Sequence, residues 1–228
     1  LLDCLPASVL HFDDDKVNEL HVRTCVARNI QLDEFTDMTL EQIQDRAKSS
    51  DPRARQELLE VYGLFASEYD YRPTDIKKLP YPDFAVDYAR RSTRRFLHSH
   101  GAIGSLERLL EITAEDGFIL VNDYGQTVTT RDDDFEHQRF SLATFVGVNF
   151  PLLKAFFAQP GKAHWIEPHS ESGGIHSRLL CRKQSHALLL KFWEHFSASA
   201  RDRLQEPIQK ARNCARSGRF ELAAGFYN

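Results

Sequence analysis

The sequence predicts an α/β fold, and three observations carry that prediction. Residues 105–125 read as a helix, a short acidic turn and an apolar strand, the building unit of an α/β sheet. The strand of that unit, GFILVNDYG at 117–125, is apolar at each of positions 118–121, the pattern of a central strand covered by helices on both faces. The 228 residues are 42% hydrophobic and 27% charged, which is ordinary for a globular domain and too apolar for disorder.

The elements follow in order. Residues 8–26 read as a hairpin around the turn-like run 13–16, with Val17, Leu20, Val22 and Val26 at mostly even spacing. Thr39 and Gln42 form a capping box for a helix over 39–48. Asp51 followed by Pro52 starts a second helix, and the stripe Leu58, Leu59, Tyr62 and Phe65 predicts that it runs to about position 67. A polar connection over 72–82 leads into a helix whose inward stripe is Ala85, Tyr88, Ala89, Ser92 and Phe96, with Arg90, Arg91 and Arg94 outward. Gly101 and Gly104 then precede a helix over 105–112 and the strand at 118. Further strands are expected at 144–150 and 177–182, with a short helix starting at Pro151. A long amphipathic helix over 185–205 should break at Pro207, and the remainder is helical on both sides of a turn at Ser217 and Gly218.

Charge and cysteine content narrow the function classes. A formal charge of -4 with acids and bases interspersed gives no electrostatic reason to expect nucleic acid, and Arg90, Arg91, Arg94 and Arg95 read as a solvated helix face. No apolar run approaches the ~20 residues that a membrane-spanning helix needs. Cys4, Cys25, Cys181 and Cys214 form no C-x-x-C pair, so reduced thiols in a cytoplasmic protein are expected. His164, His169 and His176, near Glu167 and Glu171, are too irregularly spaced for a metal site and read as a loop.

The polar tip of the central strand, Asn122, Asp123 and Tyr124, is where an α/β sheet binds ligands, because loops at carboxyl ends project polar groups over a rigid base. Asp123 as a plain turn cap is the alternative, and Gly125 is expected to turn the chain sharply away. Four blocks occur in order: Asp3, Leu5 and Pro6 in LLDCLP before a hairpin; Asp123, Tyr124 and Gly125; His137; and Val148 with Phe150 before a helix. Together they resemble the second half of the MidA-type S-adenosylmethionine-dependent methyltransferases, a family that includes a mitochondrial protein arginine methyltransferase assisting complex I assembly. The resemblance spans about residues 1–182 and implies a Rossmann-like class I methyltransferase fold over 1–183. It also implies S-adenosylmethionine as cofactor of the intact parent, with Asp3, Leu5 and Pro6 on the cofactor side. Asp123, Tyr124, His137 and Asn149 are then the candidates for positioning the methyl acceptor. Asn149 stands where the family pattern has Asp, and an amide neither takes a proton nor pairs ionically with a guanidinium.

The family's Gly-rich turn after a first strand, and the carboxylate ending its second, have no counterpart here; Gly101 to Gly104 lies between helix signals and Ser172-Gly173-Gly174 reads as a turn. The N-terminal LLDCLP, with no initiator Met and no signal peptide, reads as a cut inside the domain, so the chain alone is expected to be inactive. SGRFELAAGFYN at the C-terminus resembles the turn and second helix of a tetratricopeptide repeat, with Gly218 in the turn, Ala223 as the small residue and Phe226 or Tyr227 as the aromatic; an ordinary helical hairpin is the alternative. Residues 184–228 are thus expected to open a repeat region that binds a protein. Two functions follow: a methyltransferase acting on a protein substrate, or a methyltransferase-like scaffold that has lost its chemistry.

Overall fold

Two four-stranded sheets meet along one junction. In the first, strands β1 (Ser8–Asp13), β2 (Lys16–Val26), β3 (Phe65–Pro73) and β4 (Arg95–His98) are ordered β3-β2-β1-β4, antiparallel throughout. In the second, β5 (Phe118–Gln126), β8 (Val148–Asn149), β9 (His164–Ile166) and β10 (Ile175–Cys181) are ordered β8-β5-β10-β9. There β5 runs parallel to β8 and antiparallel to β10. A separate hairpin pairs β6 (His137–Phe140) with β7 (Ala143–Val146). This computed structural model describes residues 2–13, 16–26, 30–129, 137–140, 143–171 and 174–227, without the side chains of Tyr62, 137–140, 143–145, 198–206 and Tyr227.

The main core lies on one side of both sheets. Helix α5 (Phe150–Phe157) is its most apolar element: Leu152 and Leu153 are fully buried, with Phe150, Phe156 and Phe157 almost so. It packs with α3 (Pro82–Arg91) and α4 (His100–Ile112) over Leu10, Phe12 and Phe96 of the first sheet and Val121 and Leu180 of the second. A second cluster seats α6 (His186–Phe196) through Leu189 and Phe192 on Ile166, Leu179 and Cys181. A third closes a small cap, where Ile43 of α1 (Leu40–Lys48) meets Leu58 of α2 (Pro52–Glu60) together with Val61 and Leu64. The cap sits at the far end of the β2-β3 ribbon, which pairs from Asn18↔Pro73 to Val26↔Phe65, well beyond the reach of β1.

The predicted α/β class is present, and the capping box at Thr39 and the Asp51-Pro52 helix start form as expected. Several boundaries differ. The second helix stops at Glu60, and FASEYDYRP is the edge strand β3 rather than the end of a helix, because β2 offers nine ladder partners that outweigh a short apolar stripe. Phe96 belongs to β4 and not to the preceding helix, which ends at Arg91. The break expected at Pro207 falls at Ser197, which closes α6 and opens α7 (Ala198–Arg216); Pro207 lies within α7, where its missing N–H removes one backbone bond without ending the helix. The last turn forms at Gly218, with φ of 74°, before α8 (Phe220–Tyr227). No helix among the described residues is long and apolar enough to cross a membrane.

The central strand corrects two expectations. Its burial alternates: Val121 and Asp123 face the core while Phe118, Leu120, Asn122 and Tyr124 are exposed, so it is covered on one face only. Gly125 does not turn the chain away either, since β5 continues to Gln126. Its role is close approach: a Cβ there would lie 2.0 Å from Val148 O, and one on Gly147 would lie 2.7 Å from Gly125 Cα. Gly125→Ala should therefore destabilise the protein by about 3 kcal/mol, the upper range for overpacking. Gly63→Ala, whose methyl meets nothing within 4 Å, should change stability far less; urea unfolding midpoints of the two variants check the contrast.

Candidate functional site

Three strand ends and one crossing segment make the site. β5 and β8 end side by side, with Gly125 opposite Val148 and Gln126 opposite Asn149. Asn149 reaches the end of β4: its Nδ2 donates to Leu97 O at 3.1 Å and its backbone N–H to Ser99 Oγ at 3.3 Å. Across these ends runs the segment that begins with a 3-10 turn at Leu2–Cys4. Leu2 N–H donates to Asp123 Oδ2 at 2.5 Å, and Gly101 N–H donates to Pro6 O at 2.8 Å. Gly101 is required there, because a Cβ would sit 2.7 Å from Pro6 O.

Asp123 is 4% exposed, and its second oxygen accepts from Tyr124 N–H at 2.9 Å. Directly across the ladder is His176 of β10, so the two side chains share a face with ~5 Å between Cβ atoms. Around them is a charged cluster. His176 Nδ1 lies 3.1 Å from Glu171 Oε2, and Glu171 is held by a bidentate ion pair with Arg178, which is 2% exposed. The Arg178 guanidinium also lies 3.5 Å from Glu167 and stacks over Phe150 at 4.8 Å. Burial pushes the Glu167 carboxyl up, but the Lys154 ammonium at 2.5 Å and Arg178 outweigh that and hold it below the usual range.

The candidate residues separate. Asp123 faces the core cluster, whereas Tyr124, the next residue in an extended strand, points to the opposite face, 49% exposed, with its ring against Gly174. Asn149 is fully buried and its amide is used at both ends, since Oδ1 also accepts Leu152 N–H at 3.0 Å and caps α5. It fixes strand and helix rather than facing a ligand. The backbone of His137 pairs with Val146 in the β6-β7 hairpin, which lies against the Leu2–Cys4 turn; its side chain is outside the described residues. Asp3 lies in that turn, with Leu5 and Pro6 following it across the strand ends. Neither these residues nor Gly101 and Gly104, both inside α4, form a Gly-rich cradle for a nucleoside cofactor, and Pro6 fills the space beside Gly101.

Two groups escaped the sequence reading. His176 read as part of a histidine-bearing loop; only the β5-β10 register brings it to Asp123. The other two histidines go elsewhere: His164 is an exposed residue of β9, and His169 packs on Trp193 with ring centroids 4.3 Å apart. No group of three or more His, Cys, Asp or Glu among the described residues is arranged to hold a metal. His98, fully buried at the end of β4, donates from Nε2 to Pro80 O at 2.7 Å, and its Nδ1 has no partner among the described residues. Burial lowers its pKa to about 4. Sequence pattern gave no signal for it, because a histidine in an apolar strand is silent until its partners are known.

No family model, curated protein or solved structure matches this chain.

Asn149→Asp keeps the acceptor for Leu152 N–H but replaces the donor to Leu97 O with a carboxylate oxygen. It should cost about 2 kcal/mol at neutral pH, read by chemical denaturation. For His98, the unfolded chain binds a proton between pH 6.5 and about 4 that the folded chain refuses, so stability should fall through that window on acidification, by up to about 3 kcal/mol. A His98→Gln variant should lose that slope in the same denaturation series.

Proposed function

We propose that residues 1–183 are the acceptor-side part of an S-adenosylmethionine-dependent methyltransferase acting on a protein, and that residues 184–228 open a tetratricopeptide-like region that engages a protein. The observation that carries this reading is the convergence of the motif blocks. Asp3, Leu5 and Pro6 belong to the segment that crosses the strand ends, Asp123 receives Leu2 N–H, and Val148 lies against Gly125. Blocks so far apart in sequence meet at the carboxyl ends of strands, where α/β sheets bind ligands. The bare face of β5, with Phe118, Leu120 and Tyr124 exposed, supports a larger Rossmann-like domain in which that face is covered. The antiparallel α7-α8 pair, with Ala211 and Ala223 buried and Gly218 in its turn, supports the repeat reading.

A methyltransferase-like scaffold is the second reading, and one observation favours it: both oxygens of Asp123 are engaged by backbone N–H groups, under the crossing segment. Two measurements separate the readings. The 228-residue chain should show no micromolar binding of S-adenosylmethionine by isothermal titration, because it has no Gly-rich cofactor turn; such binding would refute the acceptor-side assignment. A parent protein containing this region should transfer a radiolabelled methyl group to a protein in lysate. No incorporation while the cofactor binds would favour the scaffold.

A further inference from the structure

The sheet edges of this chain are not guarded alike. β3, the outer strand of the first sheet, carries Glu68, Asp70 and Arg72 and closes with Pro73, and β9, the outer strand of the second, is three residues long. Charge, proline and shortness are the usual devices that keep an edge from pairing with a foreign strand. β5 has none of them along its FILVN run at 118–122, although β8 covers that side only at Gly125 and Gln126. The direction of the backbone groups there follows from the ladders. Asn149 spends its N–H on Ser99 Oγ, so the β5-β8 pairing at Gly125↔Val148 runs through Tyr124 C=O and Gln126 N–H. Directions alternate along a strand, so Phe118, Leu120 and Asn122 also turn N–H and C=O to the β8 side, while Ile119, Val121 and Asp123 turn theirs to β10. The bond from Tyr124 N–H to Asp123 Oδ1 agrees with that assignment. Three donors and three acceptors at alternate, exposed residues therefore meet no strand among the described residues.

We propose that this edge pairs with the same edge of a second copy of the chain, antiparallel about a two-fold axis at Leu120. Self-complementarity selects that occupant. With Leu120 opposite its own mate, Phe118 falls opposite Asn122 and Asn122 opposite Phe118, so every outward donor of one copy meets an outward acceptor of the other. No ionisable group lies within 118–122, and the adjacent Asp123 is buried on the core face with its oxygens held by N–H groups, so no like charges are opposed. The pairing goes beyond the methyltransferase reading, which concerns the bare face of β5: a helix laid over that face leaves the edge unpaired, and the two stand or fall separately. One short strand pair buries well under the roughly 1,200 Å² of a stable complex, so the dimer is weak and concentration-dependent.

Sedimentation of the whole chain across micromolar to millimolar concentrations should show a reversible monomer–dimer equilibrium, and amide exchange should slow at Phe118, Leu120 and Asn122 as the dimer forms. Leu120→Lys opposes two ammonium groups at the two-fold axis and should raise the dissociation constant about tenfold. Its side chain is exposed in the monomer, so the fold is retained. Leu190→Lys, which removes another exposed leucine from α6, should leave the constant unchanged. A chain that stays monomeric throughout, a dimer that Leu120→Lys weakens no more than Leu190→Lys does, or one whose formation leaves those three amides exchanging freely overturns the pairing. A monomer that protects the same amides only when an extended peptide is added overturns it too, in favour of a different occupant.

Discussion

The junction made by Asn149 is the constraint on which the rest of the structure depends. One buried amide donates to Leu97 O at the end of β4 and accepts from Leu152 N–H at the start of α5, and its own backbone lies in β8 against β5. Only a side chain with both a donor and an acceptor satisfies both groups in a place without water. The two sheets are thereby held at a fixed offset, and α5 enters the core at the angle that buries Leu152 and Leu153 completely. The glycines at 125 and 147 serve the same junction by letting the β5 and β8 backbones close to a distance that no Cβ permits.

That junction also shapes the site. Because strand ends rather than strand middles meet there, the polar groups at the site are those in or just after the last ladder pairs: Gln126 and Asn149, which form one such pair, and Ser99, which follows another. The Leu2–Cys4 turn and Pro6 then pack over them through backbone hydrogen bonds, which accounts for an aspartate at a strand tip being 4% exposed. Its negative charge is met locally by N–H dipoles, while the neighbouring glutamates are met by Arg178 and Lys154. Stability here is thus distributed over a polar network in which each buried carboxylate has a named partner, the condition under which buried charge is tolerable.

Legibility in the sequence varied with the range of the forces involved. Helix starts were readable where the cap is local: Thr39 with Gln42, and Asp51 with Pro52, bond within three residues of themselves. Strand β3 was not, because FASEYDYRP has a mixed pattern and becomes a strand only when β2 supplies nine partners that lie 39 to 55 residues earlier. The core aromatics of α5 were legible as an apolar stripe, whereas the exposure of Phe118 and Leu120 was not, since an apolar run looks alike whether one face or both are covered.

The sequence by itself determined the α/β class, the caps and the apolar faces, because these follow from residue spacing within one element. It also determined that a carboxylate would sit near the end of a central strand. Tertiary structure alone decided the rest: that Asp123 and Tyr124 part to opposite faces, that Asn149 is consumed in joining sheets, and that His176 stands across from Asp123. Each of these depends on strand register, which is set by pairing between segments distant in the chain, and a shift of one residue would reverse every face.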